Sequence, residues 1–279
     1  MKKNILLGIF LMLTSFALPN SPYLFVNLHE YGCGMFSVLG YVVGVMDEYE
    51  KNPYRGVQVD FENYGLYYDS SYGPNWWSYY FEPIRIGSID GAYIKRFNID
   101  EFSHYSFFSE YGLSREQNHD LIEKYVHIRP EIQKKIDQFV EDKFSGHHII
   151  GIHYRGTDKT LEAPFVPYQR VIDCVNNYIA QNQLQNYKIF IASDEQEVIY
   201  QLLNVFGEDR VIGYSTMRSS NGSALHFNLT NQRLHGEEAL IDCVLLSKTN
   251  LLIRTSSNLS RWSTYFNPTI PFIELNQRN

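Results

Sequence analysis

Apolar residues in the second half of the chain come in short runs separated by amphipathic stretches, the spacing expected where parallel strands are joined by crossing helices. Runs at 148–154, 188–192, 210–214, 251–254 and 271–275 each predict a strand. Between them, helical periodicity covers 168–181, the segment after Ser193-Asp194-Glu195 through Phe206, 236–247 and 257–265, the last with Ser256 as its cap. The polar stretch 215–233, rich in Ser, Asn and Gly, predicts a long loop of the kind that is often functional. The first half begins in the same style. A strand at 23–28 leads through Tyr31-Gly32-Cys33-Gly34 into a helix at 36–51, and 57–61 reads as the next strand. Residues 62–113 are dominated by Tyr, Trp, Ser and Pro and show no clear period. Helix returns over 114–144, opened by a Ser114/Gln117 capping box and interrupted at Pro130. Ser145-Gly146 is a natural boundary, so the pattern predicts an α/β chain with an N-terminal domain at 23–145 and a C-terminal domain at 146–279.

Residues 1–22 stand apart. Lys2 and Lys3 precede an apolar run from Ile5 to Ala17, followed by Leu18-Pro19-Asn20-Ser21-Pro22. A basic start, a short apolar middle and small residues predict a secretory signal peptide, hence export or a secretory lumen, with N-terminal membrane association as a variant. The run is short of the ~20 residues that a spanning helix needs. A buried first strand or helix is the competing reading.

Composition narrows the function. With 279 residues, 44% hydrophobic and 20% charged, the chain can build one large domain or two moderate ones. A net charge of −7 and the lack of any basic stripe argue against nucleic acid as partner. Any anionic ligand must be met by a few local cations. Cys33, Cys174 and Cys243 are too scattered to imply a disulfide framework or a zinc site. Asn-X-Ser/Thr triplets begin at Asn221, Asn228 and Asn258 and matter only in a glycosylating compartment.

The chemistry gathers where the 148–154 run ends, in His153-Tyr154-Arg155-Gly156-Thr157-Asp158-Lys159. In an open α/β sheet, ligands bind beyond the carboxyl ends of the strands, so cations there point to an anion such as a diphosphate. Arginine fits that role because its planar fork holds two phosphate oxygens and keeps its charge. An Arg155/Asp158 salt bridge closing a turn would explain the same residues taken alone.

Taken together with Phe190-Ile191-Ala192-Ser193-Asp194-Glu195, Leu240-Ile241-Asp242-Cys243-Val244-Leu245-Leu246-Ser247 and Thr255-Ser256-Ser257-Asn258, this segment resembles the three motifs of the α1,6-fucosyltransferases. That family includes the core fucosyltransferase of N-glycans and bacterial nodulation enzymes. Gly32-Cys33-Gly34 resembles its first Gly-rich loop, so the likeness runs over most of 23–276. The resemblance implies a GT-B architecture of two Rossmann-like domains facing a cleft, the C-terminal one holding GDP-fucose. It also implies inverting, metal-independent transfer of fucose to a carbohydrate hydroxyl, with no cofactor beyond the donor and a glycan or glycoconjugate acceptor.

Residue roles follow from the same resemblance. Arg155 falls at the arginine that stabilises the departing GDP. His153 and Asp242 fall at guanine contacts, where a carboxylate suits the paired N–H donors of guanine. A core histidine and a helix-surface carboxylate are their structural alternatives. Glu162 is the candidate base for the acceptor hydroxyl, with Lys159 beside it relaying charge or holding phosphate, although Glu162 could equally be an exposed loop residue. Asp158 belongs to the same binding segment, and Asp194 matches an acidic position. Ser256 and Ser257 match phosphate contacts at a helix N-terminus, unless Ser256 merely caps its helix. Two features depart from the family. Gly156 stands where a second arginine is common, and the segment to Glu162 is one residue short. The alternative readings are a GT-B enzyme that uses another GDP-sugar and a non-catalytic sugar- or nucleotide-binding protein.

Overall fold

The computed structural model describes residues 21–27, 34–98, 112–156, 163–214 and 231–276. Two sheets organise them. In the first, β1 (Tyr23–Asn27) lies between β2 (Gly56–Val59) and β4 (Ile94–Asn98), parallel to both, and β3 (Arg85–Gly87) adds an antiparallel edge, giving the order β3-β2-β1-β4. Helix α1 (Met35–Lys51) follows β1. In the second, five parallel strands stand in the order β7-β6-β5-β8-β9: β5 (His148–Tyr154), β6 (Tyr187–Ser193), β7 (Val211–Ile212), β8 (Leu251–Arg254) and β9 (Phe272–Glu274).

The 62–113 stretch lacks a period because its order is tertiary. Trp76, Trp77, Tyr80 and Phe81 are fully buried around a single helical turn, α2 (Trp77–Tyr80), and Phe61 packs 4.8 Å from the Trp76 ring. That packing also ends β2 earlier than the sequence predicts: Phe61 leaves the sheet for the aromatic cluster. Truncating one of these rings would cost about 3–5 kcal/mol.

Helix α3 (Arg115–Tyr125) starts with the predicted capping box, Ser114 Oγ accepting from Gln117 N and Gln117 Oε1 accepting from Ser114 N at 2.8 Å. Pro130 is the first residue of α4 (Pro130–Phe139), where its missing N–H leaves no gap in the helix, and a π-helical turn (Val140–Phe144) leads into β5. Strand β7 is only two residues long instead of the predicted five. Arg210 turns back to donate to Gln185 O and Tyr187 O, and Tyr214 packs 5.5 Å from Phe139.

Helices α5 (Tyr168–Gln181) and α6 (Gln196–Phe206) cover one face of the second sheet, enclosing a core of Ile150, Ile152, Ile189, Ile191, Val171 and Leu202. The other face lies under α7 (Gln232–Ser247) and α8 (Asn258–Phe266), and its core runs on without a break into α1, α3, α4 and the aromatic cluster. Polar ties also cross between the halves: Tyr80 Oη donates to Arg233 O at 2.8 Å, and Arg115 donates to the carbonyls of Thr264, Asn267 and Ile270 at and beyond the end of α8. Among the described residues no helix is long and apolar enough to cross a membrane.

Candidate active site at the tip of the central strand

Strand β5 is central in its sheet, and alternation along it divides the side chains. Ile150, Ile152 and Tyr154 join the core under α5 and α6, whereas Ile149 joins the core beneath α7, and Gly151 faces Thr249, whose Oγ1 a Cβ would approach to 2.7 Å. His153 has the same parity and so belongs to the α7 face. Its strand neighbours are Ala192 and Arg254. Tyr154 pairs with Ser193, and the same register continued past the strand ends sets Arg155 beside Asp194 and Gly156 beside Glu195.

The contacts follow that register. Arg155 Nε lies 3.1 Å from Asp194 Oδ2, with the arginine side chain 22% exposed and the aspartate 8%. The guanidinium is held at the strand tip rather than released into solvent. Its backbone N–H donates to Thr255 Oγ1 at 2.8 Å, and Thr255 N donates to His153 O, so the turn after β8 is tied to the tip of β5. At Gly156 a Cβ would fall 2.1 Å from Glu195 Oε1 and 2.8 Å from Tyr154 Cε1. A side chain at this position would have to displace the Glu195 carboxyl and crowd the Tyr154 ring. Glu195 is fixed in turn by Tyr168 Oη, which donates to its Oε2 at 2.8 Å.

His153 is buried and remains neutral. Burial lowers its pKa to about 3, and the charges of Arg155 and Arg254 act in the same direction. Its Nδ1 has no hydrogen-bond partner among the described residues. Such a group is a costly thing to keep in a core unless a ligand uses it. Asp242 is buried on α7, within the helix that covers this same face; burial raises the pKa values of Tyr214 and Cys243, and the charge of Asp242 adds a smaller push in the same direction.

Ser256 and Ser257 lie in the turn between β8 and α8, both buried. The expected cap is corrected here: Ser257, not Ser256, is the N-cap residue, and its side chain makes no cap bond. Ser256 is committed elsewhere, its N–H donating to Asn276 Oδ1 at 2.7 Å while Asn276 Nδ2 donates to Pro164 O. Asn258, first residue of α8, donates to Ser37 Oγ in the first turn of α1 at 2.7 Å. Two helix N-termini, one from each half, thus meet beside the tip of β5, each carrying partial positive charge.

The structure brings His153, Arg155, Asp194, Ser256 and Ser257 to one end of the second sheet. Gly34 precedes α1 across the interface, and Asp242 lies on the covering helix. Gly32, Cys33, Asp158, Lys159 and Glu162 lie outside the described residues, as do Asn221 and Asn228. Sequence reasoning passed over Thr255, Asn276, Tyr168 and Glu195, which hold the tip together. Among the described residues no three His, Cys, Asp or Glu side chains gather to hold a metal ion.

A family model for the alpha-(1,6)-fucosyltransferase N- and catalytic domains matches residues 119–264. Among solved structures, the NodZ alpha-1,6-fucosyltransferase soaked with GDP-fucose superposes with a TM-score of 0.63 at 19% identity, over 91% of this chain and 95% of that one. The NodZ fucosyltransferase from Bradyrhizobium gives 0.63 at 18% identity, over 93% and 99%. An arginine-to-lysine mutant of Arabidopsis thaliana FUT1 in complex with GDP gives 0.54 at 11% identity, over 93% and 71%. These likenesses establish the fold as GT-B, with the two sheets as its two Rossmann-like halves. The family match spans His153, Arg155, Asp194, Asp242, Ser256 and Ser257.

Proposed function

The chain belongs to the α-(1,6)-fucosyltransferase family, and from that premise we propose that it transfers fucose from GDP-fucose to a carbohydrate hydroxyl with inversion at the sugar carbon. The observation that carries this reading is Arg155, held by Asp194 at the tip of β5 next to the N-terminus of α8. Negative charge grows on the diphosphate as the bond to fucose breaks, and a fixed cation beside a helix N-terminus stabilises it without reorganising.

The remaining roles are distributed around that point. His153, neutral and with an uncommitted ring nitrogen, hydrogen-bonds the guanine, and Asp242 accepts from its paired N–H groups. Ser256 and Ser257 meet the phosphates, and we assign Gly32, Cys33 and Gly34 to donor binding as well. Lys159 and Glu162 follow Arg155 closely in the chain. Glu162 takes the proton of the acceptor hydroxyl and Lys159 offsets charge on the leaving group. Asp158 orients this segment. We assign the acceptor side to residues 23–145 and the donor side to 146–279. We also assign residues 1–22 to export, which places the reaction where a secretory lumen supplies the donor.

The test is incubation with GDP-fucose and a glycan panel, reading GDP release and fucosylated product. Wild type should fucosylate at least one glycan, Arg155→Ala should not, and Glu162→Gln should keep GDP binding but lose transfer. Retained transfer in Glu162→Gln removes the base assignment. GDP binding without turnover on any acceptor would make the chain a nucleotide-sugar-binding protein instead.

A further inference from the structure

The space that a side chain at position 156 would occupy is filled by a carboxyl group. Glu195 Oε1 lies where a Cβ on Gly156 would come within 2.1 Å, so the carboxyl rests against the backbone immediately after Arg155. It cannot swing away freely, because Tyr168 Oη holds Oε2 at 2.8 Å and its backbone N–H donates to Ser193 Oγ at 3.1 Å. Asp194 is its chain neighbour and is already paired with Arg155. The titratable groups that interact with Glu195 are Tyr154 from β5, Tyr168 from α5 and Asp194 beside it in the chain. None of these described groups is a cation, and Asp194 is itself paired with Arg155. A diphosphate arriving at Arg155 and the backbone of Gly156 therefore brings its negative charge next to the Glu195 carboxyl.

We propose that Glu195 takes up a proton when the GDP moiety binds, so that it is an ionisable positioning residue that sets donor affinity through the charge it presents beside Arg155. This rests on the donor reading above. Neutral Glu195 still accepts from Tyr168 and adds its own O–H, which can be donated to a phosphate oxygen or to Asp194. Ionised Glu195 repels the ligand across a half-buried site, where screening by water is weak. The free protein is already biased this way, since burial first and then Asp194 raise the Glu195 pKa while the Tyr168 hydrogen bond opposes them. The sign is fixed by linkage. Phosphate raises that pKa further, so the complex binds more protons than the free protein. GDP affinity then falls as pH rises between the two pKa values and levels off above the higher one.

The experiment is calorimetric titration of the full chain with GDP from about pH 5 to 8, in two buffers of different ionisation enthalpy, to count protons. The terminal phosphate of GDP also titrates in this range, with a second pKa of about 6, so wild type is read against Glu195→Gln. Wild type should take up as much as one proton more per GDP than Glu195→Gln, and the ratio of its Kd to that of the variant should rise by up to ~10-fold per pH unit within the window. Asp194→Asn should keep that excess. Equal proton counts in wild type and Glu195→Gln at every pH overturn the proposal, and so do parallel curves of Kd against pH. Should Glu195→Gln not fold, Tyr168→Phe decides. Loss of its hydroxyl must shift the window to higher pH, and an unmoved window overturns the proposal. A wild type that binds no GDP at any pH overturns the donor reading itself, and this inference with it.

Discussion

Gly236 in α7 allows a test in which two elementary effects oppose each other. On helix propensity alone, Gly236→Ala should stabilise the chain by about 1 kcal/mol. The structure dictates the reverse. A Cβ at this position would lie 2.4 Å from Tyr80 Oη, 2.7 Å from Tyr80 Cζ and 2.9 Å from Tyr67 Cδ1. The Tyr80 ring would have to retreat by about 1 Å to restore ordinary contact. Tyr80 is fully buried, its hydroxyl bonded to Arg233 O and its ring set 6.2 Å from Tyr67 and 6.0 Å from Trp76. Overpacking of such a site costs about 1–3 kcal/mol, and loss of the hydroxyl bond adds about 1 kcal/mol. The net expectation is destabilisation by about 2 kcal/mol. Tyr80→Phe alone should cost about 1 kcal/mol, but in the double variant it removes the atom that clashes most, so the two losses should fall short of their sum by about 0.5–1.5 kcal/mol. Urea unfolding followed by tryptophan fluorescence reads all three, since Trp76 and Trp77 are fully buried. A Gly236→Ala variant as stable as wild type, or strict additivity in the double variant, would refute the close packing of α7 on the aromatic cluster.

Three further expectations follow from the same coordinates. Arg115→Ala should cost about 2–3 kcal/mol in chemical denaturation because three carbonyls at the end of α8 lose a charged donor, and Arg115→Lys should recover less than half, since an ammonium cannot span them. His153 is depressed to about 3 in the fold against about 6.5 unfolded, so its contribution to stability is complete above about pH 6.5 and is lost as pH falls toward 3. His153→Gln should therefore flatten the acid limb of the stability-versus-pH curve by on the order of 1.4 kcal/mol per pH unit in that window, and an unchanged limb would contradict the buried neutral imidazole. Asp242→Asn should reduce the preference for GDP over ADP by about 10-fold or more in competition binding, and an unaltered preference removes the guanine role.

Strands β5, β6 and β8 were legible because they are buried on both faces over nearly their whole length. β5 and β8 are mostly apolar and match their predicted bounds. Helix α5 was legible from its one-sided periodicity, and the start of α3 from its capping box. β4 was not, since Ile94-Lys95-Arg96 is an exposed edge with no apolar run. The aromatic cluster was not either, because its rings are ordered by contacts with α1 and α7 that no local spacing encodes. At the site, Arg155 and Asp194 were visible as charges placed where apolar runs stop. The role of Glu195 and the true cap of α8 were hidden. The first depends on the β5–β6 register, and the second on Asn276 reaching back to claim the Ser256 N–H.

The central claim, that Arg155 grips the diphosphate of a guanosine carrier, is tested most directly by calorimetric titration of GDP into wild type and Arg155→Ala, with circular dichroism confirming that both are folded. Loss of one charge-assisted contact should weaken GDP binding by about 10–100-fold while guanosine, which lacks phosphate, binds both proteins alike. Equal GDP affinity in the two proteins would contradict the account.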